Sequence, residues 1–269
     1  MIGRNFFYRV ALHVYALFPF LLDFVKSKNI NPCRAFYDYY KDLKTYNQSG
    51  SKLFPASFSD SFPQLYDRYQ NSGSLPKHYF YQDLWAARKV YYLQTDNHFD
   101  IGSRLDGFIS HCLVFTKVTM LDIRPLKYDI ENLNFIQANA MDMKNIESNS
   151  ISSLSTLHVV EHFGLGRYGD PIDDEGYLKA INELKRVLAY GGNLLFSVPI
   201  GRQRLMFNAH RVFNPMYILE LFSSGINSLQ LVEFSVINDN NEYIENAICE
   251  KYIDSDYSCG LFHFRKHPN

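Results

Sequence analysis

Short apolar runs alternate with segments of helical periodicity from residue 81 onward. Five runs are five to seven residues long and are typical of buried strands: HFDIG, KVTMLDI, LNFIQAN, ISSLSTL and NLLFSVP. The segment before the fifth run has acids in its first turn, Lys185 and Arg186 near its end and Gly191-Gly192 as its stop, which predicts a helix over residues 174–192. Strands that alternate with helices predict a mainly parallel sheet with helices on both faces.

The last part of the chain adds one helix and two strands to this pattern. NPMYILELF has helical spacing, whereas LQLVEFSVI and CGLFHFRK are typical of strands. We expect these two strands to pair as an antiparallel hairpin at an edge of the sheet. The predicted fold class is therefore α/β, with a mainly parallel seven-stranded sheet, helices on both faces and an antiparallel edge strand.

Residues 1–78 differ from the rest because they are rich in Tyr and Phe and show no strand alternation. The polar turns NQSGS and NSGS divide them, so we predict a helical N-terminal extension before a main domain at 79–269. The apolar run from Val10 to Val25 is 16 residues long and is interrupted by His13, Pro19 and Asp23, which makes it too short for a comfortable membrane span. It predicts an amphipathic helix that packs on the domain, with contact at a membrane surface as the alternative.

Charge and cysteine content narrow the classes of partner. The 269 residues carry a formal net charge of −1, so no general field attracts nucleic acid or anionic lipid, and a nucleic-acid substrate is disfavoured. The four cysteines are scattered without a CxxC pair, as is typical of reduced thiols in a cytoplasmic protein. We therefore expect a cytoplasmic location, with peripheral membrane contact through the N-terminal helix left open. The sequence does not predict the oligomeric state.

Acids and a glycine follow the predicted strands at the positions where an open α/β sheet binds ligands. Asp100, Gly102 and Ser103 end the first strand, Asp122 ends the second, and Asp142 follows the third. Glycine lets a ligand approach the backbone, and a carboxylate about 20 residues further on suits two ribose hydroxyls. A single strand-end aspartate is more commonly a helix cap, but three in succession favour a cofactor cleft.

Residues 81–199 resemble class I S-adenosylmethionine-dependent methyltransferases in the order of five segments: DIGS, LDIRP, QANAMD, SSLSTLHVVEHF and ELKRVLAYGGNLLFSVP. The resemblance implies a Rossmann-like domain with S-adenosylmethionine as cofactor. It also implies that Leu157 and His158 line the cofactor, and that Glu161 and His162 orient the next loop or contact the acceptor. The predicted cofactor-binding set is Asp100, Gly102, Ser103, Asp122, Ile123, Asp142, Leu157 and His158.

Residues 81–266 are similar, more specifically, to an uncharacterised methyltransferase-like family of bacteria and nematodes, named only as a domain of unknown function. The similarity is carried by HFDIGSRLDGF, LDIRPL, LHVVEHFGLGRYGDPID, SVPIGRQRLMFNAHRVFNP and YSCGLFHFRK. This family brings little biochemistry with it, beyond an association of similar proteins with surface-polysaccharide functions.

The first loop departs from the methyltransferase pattern DxGxGxG. Arg104 and Asp106 stand at the second and third glycine positions, so either a charged side chain crowds the methionine end of the cofactor or Arg104 points away and Gly107 gives the close approach. An inactive methyltransferase-like binding or scaffold protein is therefore one alternative, and a sugar-nucleotide enzyme of another reaction type is a second. NAD is disfavoured because Gly102 and Gly107 do not form GxGxxG.

Residues 158–162 match HxxEH, the inverted zinc-protease pattern. Two histidines four residues apart bind zinc from one face of a helix. The motif directly follows a strand, and Gly164, Gly166 and Gly169 disfavour a long helix after it. We therefore predict no metal site.

Polar residues of the loops after the fourth and fifth strands are candidates for acceptor binding. Arginine offers fork-shaped donors to phosphate or carboxylate, although arginines that pair with surface acids are nearly as common. The predicted acceptor-binding set is Arg167, Asp170, Arg202, Arg204 and Arg211.

The predicted reaction is methyl transfer to a hydroxyl of a glycan, a sugar phosphate or another small acceptor. A histidine with a pKa near about 6.5 suits the general base that a hydroxyl requires. His162 and His210 are the candidate bases in that order, and Glu161 completes the predicted catalytic set.

Overall fold

The computed structural model describes residues 31–267, except for 51–52, 58–60, 66, 70–71, 74 and 76. The apolar segment from Val10 to Val25 lies outside the described residues. The described residues form two compact units, one up to residue 74 and one from residue 75. Within them, no helix combines the length and hydropathy needed to cross a bilayer.

In the described part of the first unit, residues 32–48 form a long helix, α1 (Pro32–Gln48). It begins where Asn31 caps it by accepting a backbone N–H, with proline at the first helical position. A 3₁₀ turn at Asp67–Tyr69 contacts the helix, because the Tyr69 hydroxyl donates to Asp38 at 2.6 Å.

The second unit has four helices around a sheet, and a two-stranded hairpin beside it. The helices are α2 (Lys77–Leu93), α3 (Leu105–Ile109, continued by Ser110–Cys112), α4 (Gly176–Val187) and α5 (Pro215–Ser223). The strands are β1 (Asn97–Ile101), β2 (Lys117–Asp122), β3 (Leu133–Gln137), β4 (Ile151–Leu157), β5 (Leu188–Ile200), β6 (Arg204–Met206), β7 (His210–Val212), β8 (Leu229–Ile237), β9 (Tyr243–Ile244) and β10 (Ser258–Lys266). Short 3₁₀ turns lie at Val160–His162 and Cys249–Tyr252.

The main sheet has the strand order β3-β2-β1-β4-β5-β10-β8-β9, and β6 pairs with β7. The first five strands are parallel, whereas β10 is antiparallel to both β5 and β8. This confirms the predicted α/β fold with a mainly parallel sheet. The structure adds an eighth strand, since the two-residue β9 occupies the edge, and it places β10 inside the sheet. Nearly every residue of β10 is buried, which requires a partner strand on each side.

An aromatic cluster holds the antiparallel strands against α5. The ring centroids of Phe222 and Phe264 lie 4.5 Å apart, those of Phe234 and Phe262 lie 4.8 Å apart, and Phe196 lies 4.9 Å from Phe222. All five side chains are buried. This packing fixes the end of β5, from which a site loop departs.

Helix α4 ends at Val187, earlier than the predicted stop at Gly191-Gly192. The cause is a buried lysine from β10. The ammonium group of Lys266 donates to the carbonyl oxygens of Lys185 at 2.7 Å and Leu188 at 2.9 Å. The last carbonyl oxygens of a helix have no intrahelical partner and attract a cation. Here the Lys266 ammonium takes the place of the N–H donors of a further turn, and β5 begins directly after α4.

Candidate functional site

Two adjoining cavities lie at the carboxyl ends of the parallel strands. The first, here called the apolar cavity, has Ile101, Leu121 and Ile123 in its wall. The second, here called the polar cavity, has a volume of about 350 Å³. They share five residues: Gly102, Arg124, His158, His162 and Tyr168. A volume of this size is typical of a site for a small molecule.

Gly102 brings the loop after β1 against the end of β4. Its φ is +71°, a left-handed conformation that favours glycine. Its N–H donates to Leu121 O at 2.9 Å, and a Cβ on this residue would stand only 2.8 Å from Val159 Cγ1. Both the backbone angle and the available space therefore require glycine here.

Asp100 supports this loop from below the surface. Its carboxylate accepts the N–H of Ser103 at 2.9 Å, the hydroxyl of Ser103 at 2.7 Å and the hydroxyl of Ser155. The side chain is fully buried and is not part of the wall of either cavity. Burial raises the pKa of Asp100 to about 6, although the serine hydrogen bonds oppose this shift.

Asp100→Asn should change how stability depends on pH. The folded-state pKa of about 6 exceeds that of an exposed aspartate, about 3.9, so the stabilising contribution of Asp100 is complete at low pH and is lost as the pH rises through 6. Asparagine stays neutral and can still bond both serines. Relative to the wild type, the variant should therefore gain stability on the order of 2 kcal/mol between pH 4 and pH 8.

Urea unfolding at several pH values measures this difference. Asp106→Asn is the control, because Asp106 is exposed and Arg104 lowers its pKa. A stability difference between Asp100→Asn and wild type that stays constant with pH would contradict the raised pKa.

Asp122 ends β2 with both carboxylate oxygens engaged by Arg124. Oδ1 accepts the Arg124 backbone N–H at 2.9 Å and Nε at 3.0 Å, and Oδ2 accepts Nη2 at 2.7 Å. The Arg124 guanidinium lies 4.6 Å from the centre of the Tyr168 ring. Sequence reasoning missed Arg124, although LDIRP places it two residues after the acid. Any hydroxyl that binds Asp122 must compete with this guanidinium.

The other predicted cofactor residues lie in different places. Ile123 is in the wall of the apolar cavity and Leu157 is in that of the polar cavity. Ser103 borders a further cavity with Arg104 and Asp106. Asp142 is outside all three walls and pairs with Lys144 at 2.8 Å. Asn139, three residues before Asp142, is in the wall of the apolar cavity, where Asp142 was expected.

Glu161 lies between two histidines in the 3₁₀ turn after β4. The side chain is only 1% exposed, with Oε1 2.8 Å from His158 Nδ1 and 3.8 Å from His162 Nε2. Burial alone would raise the pKa of Glu161, but its contact with His158 lowers it overall, so the group is a carboxylate. The turn is too short to present residues 158 and 162 on one helical face, as the zinc-protease pattern requires.

His162 and His210 both border the polar cavity. His162 Nδ1 lies 2.6 Å from Ala209 O, which places its proton on Nδ1 and leaves Nε2 as an acceptor. His210 Nε2 is buried and has no hydrogen-bond partner among the described residues. Burial lowers the pKa of both imidazoles, so both are neutral at pH 7.

Three guanidinium groups border the polar cavity. Its wall contains the guanidinium groups of Arg104, Arg124 and Arg167, against the single carboxylate of Glu161. Arg104 donates to both oxygens of Asp106 and lies 5.1 Å from the centre of the Tyr79 ring. Asp122 pairs with Arg124 in the same way, whereas Arg167 pairs with no carboxylate among the described residues and is the guanidinium most available to an anion.

Three of the five predicted acceptor residues lie outside both cavities. Arg211 donates to Phe163 O at 2.6 Å, Arg204 donates to Asp256 O at 2.7 Å, and Arg202 is exposed. Asp170 borders the apolar cavity, where it accepts the N–H of Gly164 at 2.8 Å and shapes the glycine loop. Arg167 alone of the five borders the polar cavity. Tyr79, Tyr168 and Tyr257 also border it, with no signal in the sequence that marks them.

Residues 113–251 match a protein-family model described as "Caenorhabditis protein of unknown function, DUF268". The match covers more than half of the chain. No curated protein matches the chain in sequence.

Solved methyltransferase-fold structures are similar to this chain at low sequence identity. The 1,6-didemethyltoxoflavin-N1-methyltransferase of Burkholderia thailandensis, solved with S-adenosylhomocysteine, has a TM-score of 0.51 and 12% identity over 88% of this chain and 91% of its own. A putative sarcosine dimethylglycine methyltransferase of Galdieria sulphuraria has a TM-score of 0.51 and 15% identity, with coverages of 70% and 86%. The [4+2]-cyclase SpnF has a TM-score of 0.52 and 14% identity, with coverages of 78% and 84%. The fold is therefore that of the class I methyltransferases, and it is also the fold of a cyclase.

Proposed function

This chain belongs to the family described as "Caenorhabditis protein of unknown function, DUF268", and we propose that it is an S-adenosylmethionine-dependent methyltransferase. The observation that carries the proposal is the placement of Gly102 and Asp122 on one cavity at the carboxyl edge of the sheet. In open α/β folds this edge is where nucleotide-like ligands bind. The likeness in fold to the Burkholderia thailandensis N1-methyltransferase supports it.

The residues of the apolar cavity fit the parts of the cofactor. Asp122 would accept the ribose hydroxyls in place of the Arg124 guanidinium, and Asn139 would contact the adenine side. Gly102 borders the same cavity beside His158, and its backbone would lie next to the methionine side. The bound cofactor supplies an electrophilic methyl group for an in-line displacement. The protein's own contribution is to hold donor and acceptor in line.

The acceptor is proposed to be a small anionic molecule with a hydroxyl group, such as a sugar phosphate or an acidic glycan. The polar cavity adjoins the apolar cavity and carries three guanidinium groups. These donors suit phosphate or carboxylate, and they retain an acceptor while its hydroxyl meets a base. His162 is the proposed base, because its Nε2 is free to accept a proton, with His210 as the second candidate.

Calorimetric titration with S-adenosylmethionine and S-adenosylhomocysteine tests the cofactor. The wild type should bind with a Kd of about 1–100 μM. Asp122→Ala should weaken binding by about 10–100-fold, because a ligand hydroxyl loses hydrogen bonds to a buried carboxylate. Asp129→Ala is the control, since Asp129 is exposed in the loop that follows β2.

A methyltransferase-like binding protein is the second candidate function. Arg104 stands at the second glycine position of the methyltransferase pattern DxGxGxG, and its guanidinium borders the polar cavity. Absence of binding of both ligands by a folded wild-type sample would reject the methyltransferase and favour this alternative.

A further inference from the structure

Three donor side chains converge in the second unit from elements that are far apart in sequence. His78 belongs to the first turn of α2, His158 follows β4, and Cys259 is the second residue of β10. One ligand atom from each, an imidazole nitrogen or the thiol sulfur, lies within 4.8 Å of the other two.

All three side chains are buried, and one of them leaves a polar atom unsatisfied. His78 is 7% exposed, His158 is 9% exposed and Cys259 is fully buried. His158 Nδ1 is taken by Glu161, whereas Nε2 has no hydrogen-bond partner among the described residues. A buried nitrogen without a partner is costly unless something binds it.

We propose that His78, His158 and Cys259 form a binding site for a divalent transition-metal ion of the zinc type. Imidazole nitrogen and thiolate sulfur are the donors that zinc prefers, at about 2.0–2.1 Å and 2.3 Å. Three atoms separated by no more than 4.8 Å fit within a circle of about 2.8 Å radius, so shifts of less than about 1 Å bring all three to bonding distance.

Glu161 has the role that a carboxylate plays behind a metal-binding histidine. It accepts from His158 Nδ1 at 2.8 Å, which orients the ring and leaves the Nε2 lone pair for the ion. The charges also balance, because the Cys259 thiolate and the Glu161 carboxylate offset the two positive charges of the ion.

The proposed ion would link α2, β4 and β10. Of its three ligands only His158 borders the two cavities, so the ion would stabilise the fold behind the site without taking part in methyl transfer. These ligands differ from those of the HxxEH pattern, with which they share only His158. The proposal does not depend on the proposed methyltransferase function.

Cobalt substitution of the purified full chain tests the site. With cobalt(II), and with a water molecule as the fourth ligand, the chelator-treated wild type should show visible d–d bands of tetrahedral coordination and a thiolate charge-transfer band in the near ultraviolet, and zinc should abolish both. Cys259→Ala should lose the charge-transfer band. Cys112→Ala is the matched control and should keep it, because Cys112 is an equally buried thiol of the same unit.

Metal content and thermal stability give two further readouts. The wild type grown with zinc should contain about one zinc ion per chain, and re-addition of zinc after chelation should raise Tm by about 5–10 °C. His78→Phe keeps a stacked ring and removes a ligand, so it replaces Cys259→Ala if that variant does not fold. A folded, reduced wild type without bound zinc or a cobalt spectrum would overturn the proposal, as would an unchanged charge-transfer band in folded Cys259→Ala.

Discussion

His162→Gln is expected to slow methyl transfer by about 10²–10⁴-fold, the range lost when a positioned general base is removed. His162 Nδ1 is held 2.6 Å from Ala209 O, which leaves Nε2 to take the proton of an acceptor hydroxyl. Glutamine can still donate to this carbonyl, but it cannot accept a proton. Affinity for S-adenosylmethionine should stay within about threefold, since the base acts on the acceptor.

Formation of S-adenosylhomocysteine measures the rate, with anionic sugars screened as acceptors. His263→Gln is the matched control, because His263 is also buried but bonds Asn193 at 2.9 Å and is outside both cavities. Burial lowers the pKa of His162, so the wild-type rate should fall only at pH values below the ordinary histidine pKa of about 6.5. Wild-type turnover by His162→Gln, with a loss in His210→Gln, would transfer the role to His210.

Gly102→Ala is expected to destabilise the second unit by about 2–5 kcal/mol. The left-handed backbone costs a residue with a Cβ about 1–2 kcal/mol, and crowding in a packed region costs about 1–3 kcal/mol. Both terms apply here, because φ is +71° and the added Cβ would stand 2.8 Å from Val159 Cγ1.

Urea unfolding of matched variants separates the two terms. Gly225 also has φ +71° but has no atom within 4 Å of an added Cβ, so Gly225→Ala should show only the backbone cost. Gly102→Ala combined with Val159→Ala should recover the crowding term, since Val159 Cβ is 3.6 Å away. An equal decrease in the free energy of unfolding in Gly102→Ala and Gly225→Ala would show that contact with Val159 does not destabilise the fold.

The order and kind of the strands were predictable because each one is a short apolar run with its own boundary signals. β2, β3 and β4 begin at the predicted residues 117, 133 and 151. The end of α4 was not predictable, because it depends on Lys266, which is 78 residues beyond Leu188 and donates to its carbonyl oxygen. The place of β10 between β5 and β8 was equally a matter of strand pairing, which neighbouring residues do not encode.

The location of the candidate site at the strand ends was predictable, whereas the direction of its loop side chains was not. Gly102 and Asp122 border the apolar cavity, and residues at strand ends meet at one edge whatever the loops do. Asp142 lies outside that cavity, because a loop residue three positions from Asn139 can point to either side. Arg124 and Arg167 border the polar cavity while Arg204 and Arg211 bind backbone carbonyls elsewhere.

Periodicity and caps along the chain predict the elements and the edge of the sheet at which they end, since both act within a few residues. Tertiary structure alone decided which side chains meet. His78, His158 and Cys259 come from three elements, and no spacing rule connects them. Their convergence depends on the register of β10 between β5 and β8, which pairing and packing set across the whole sheet.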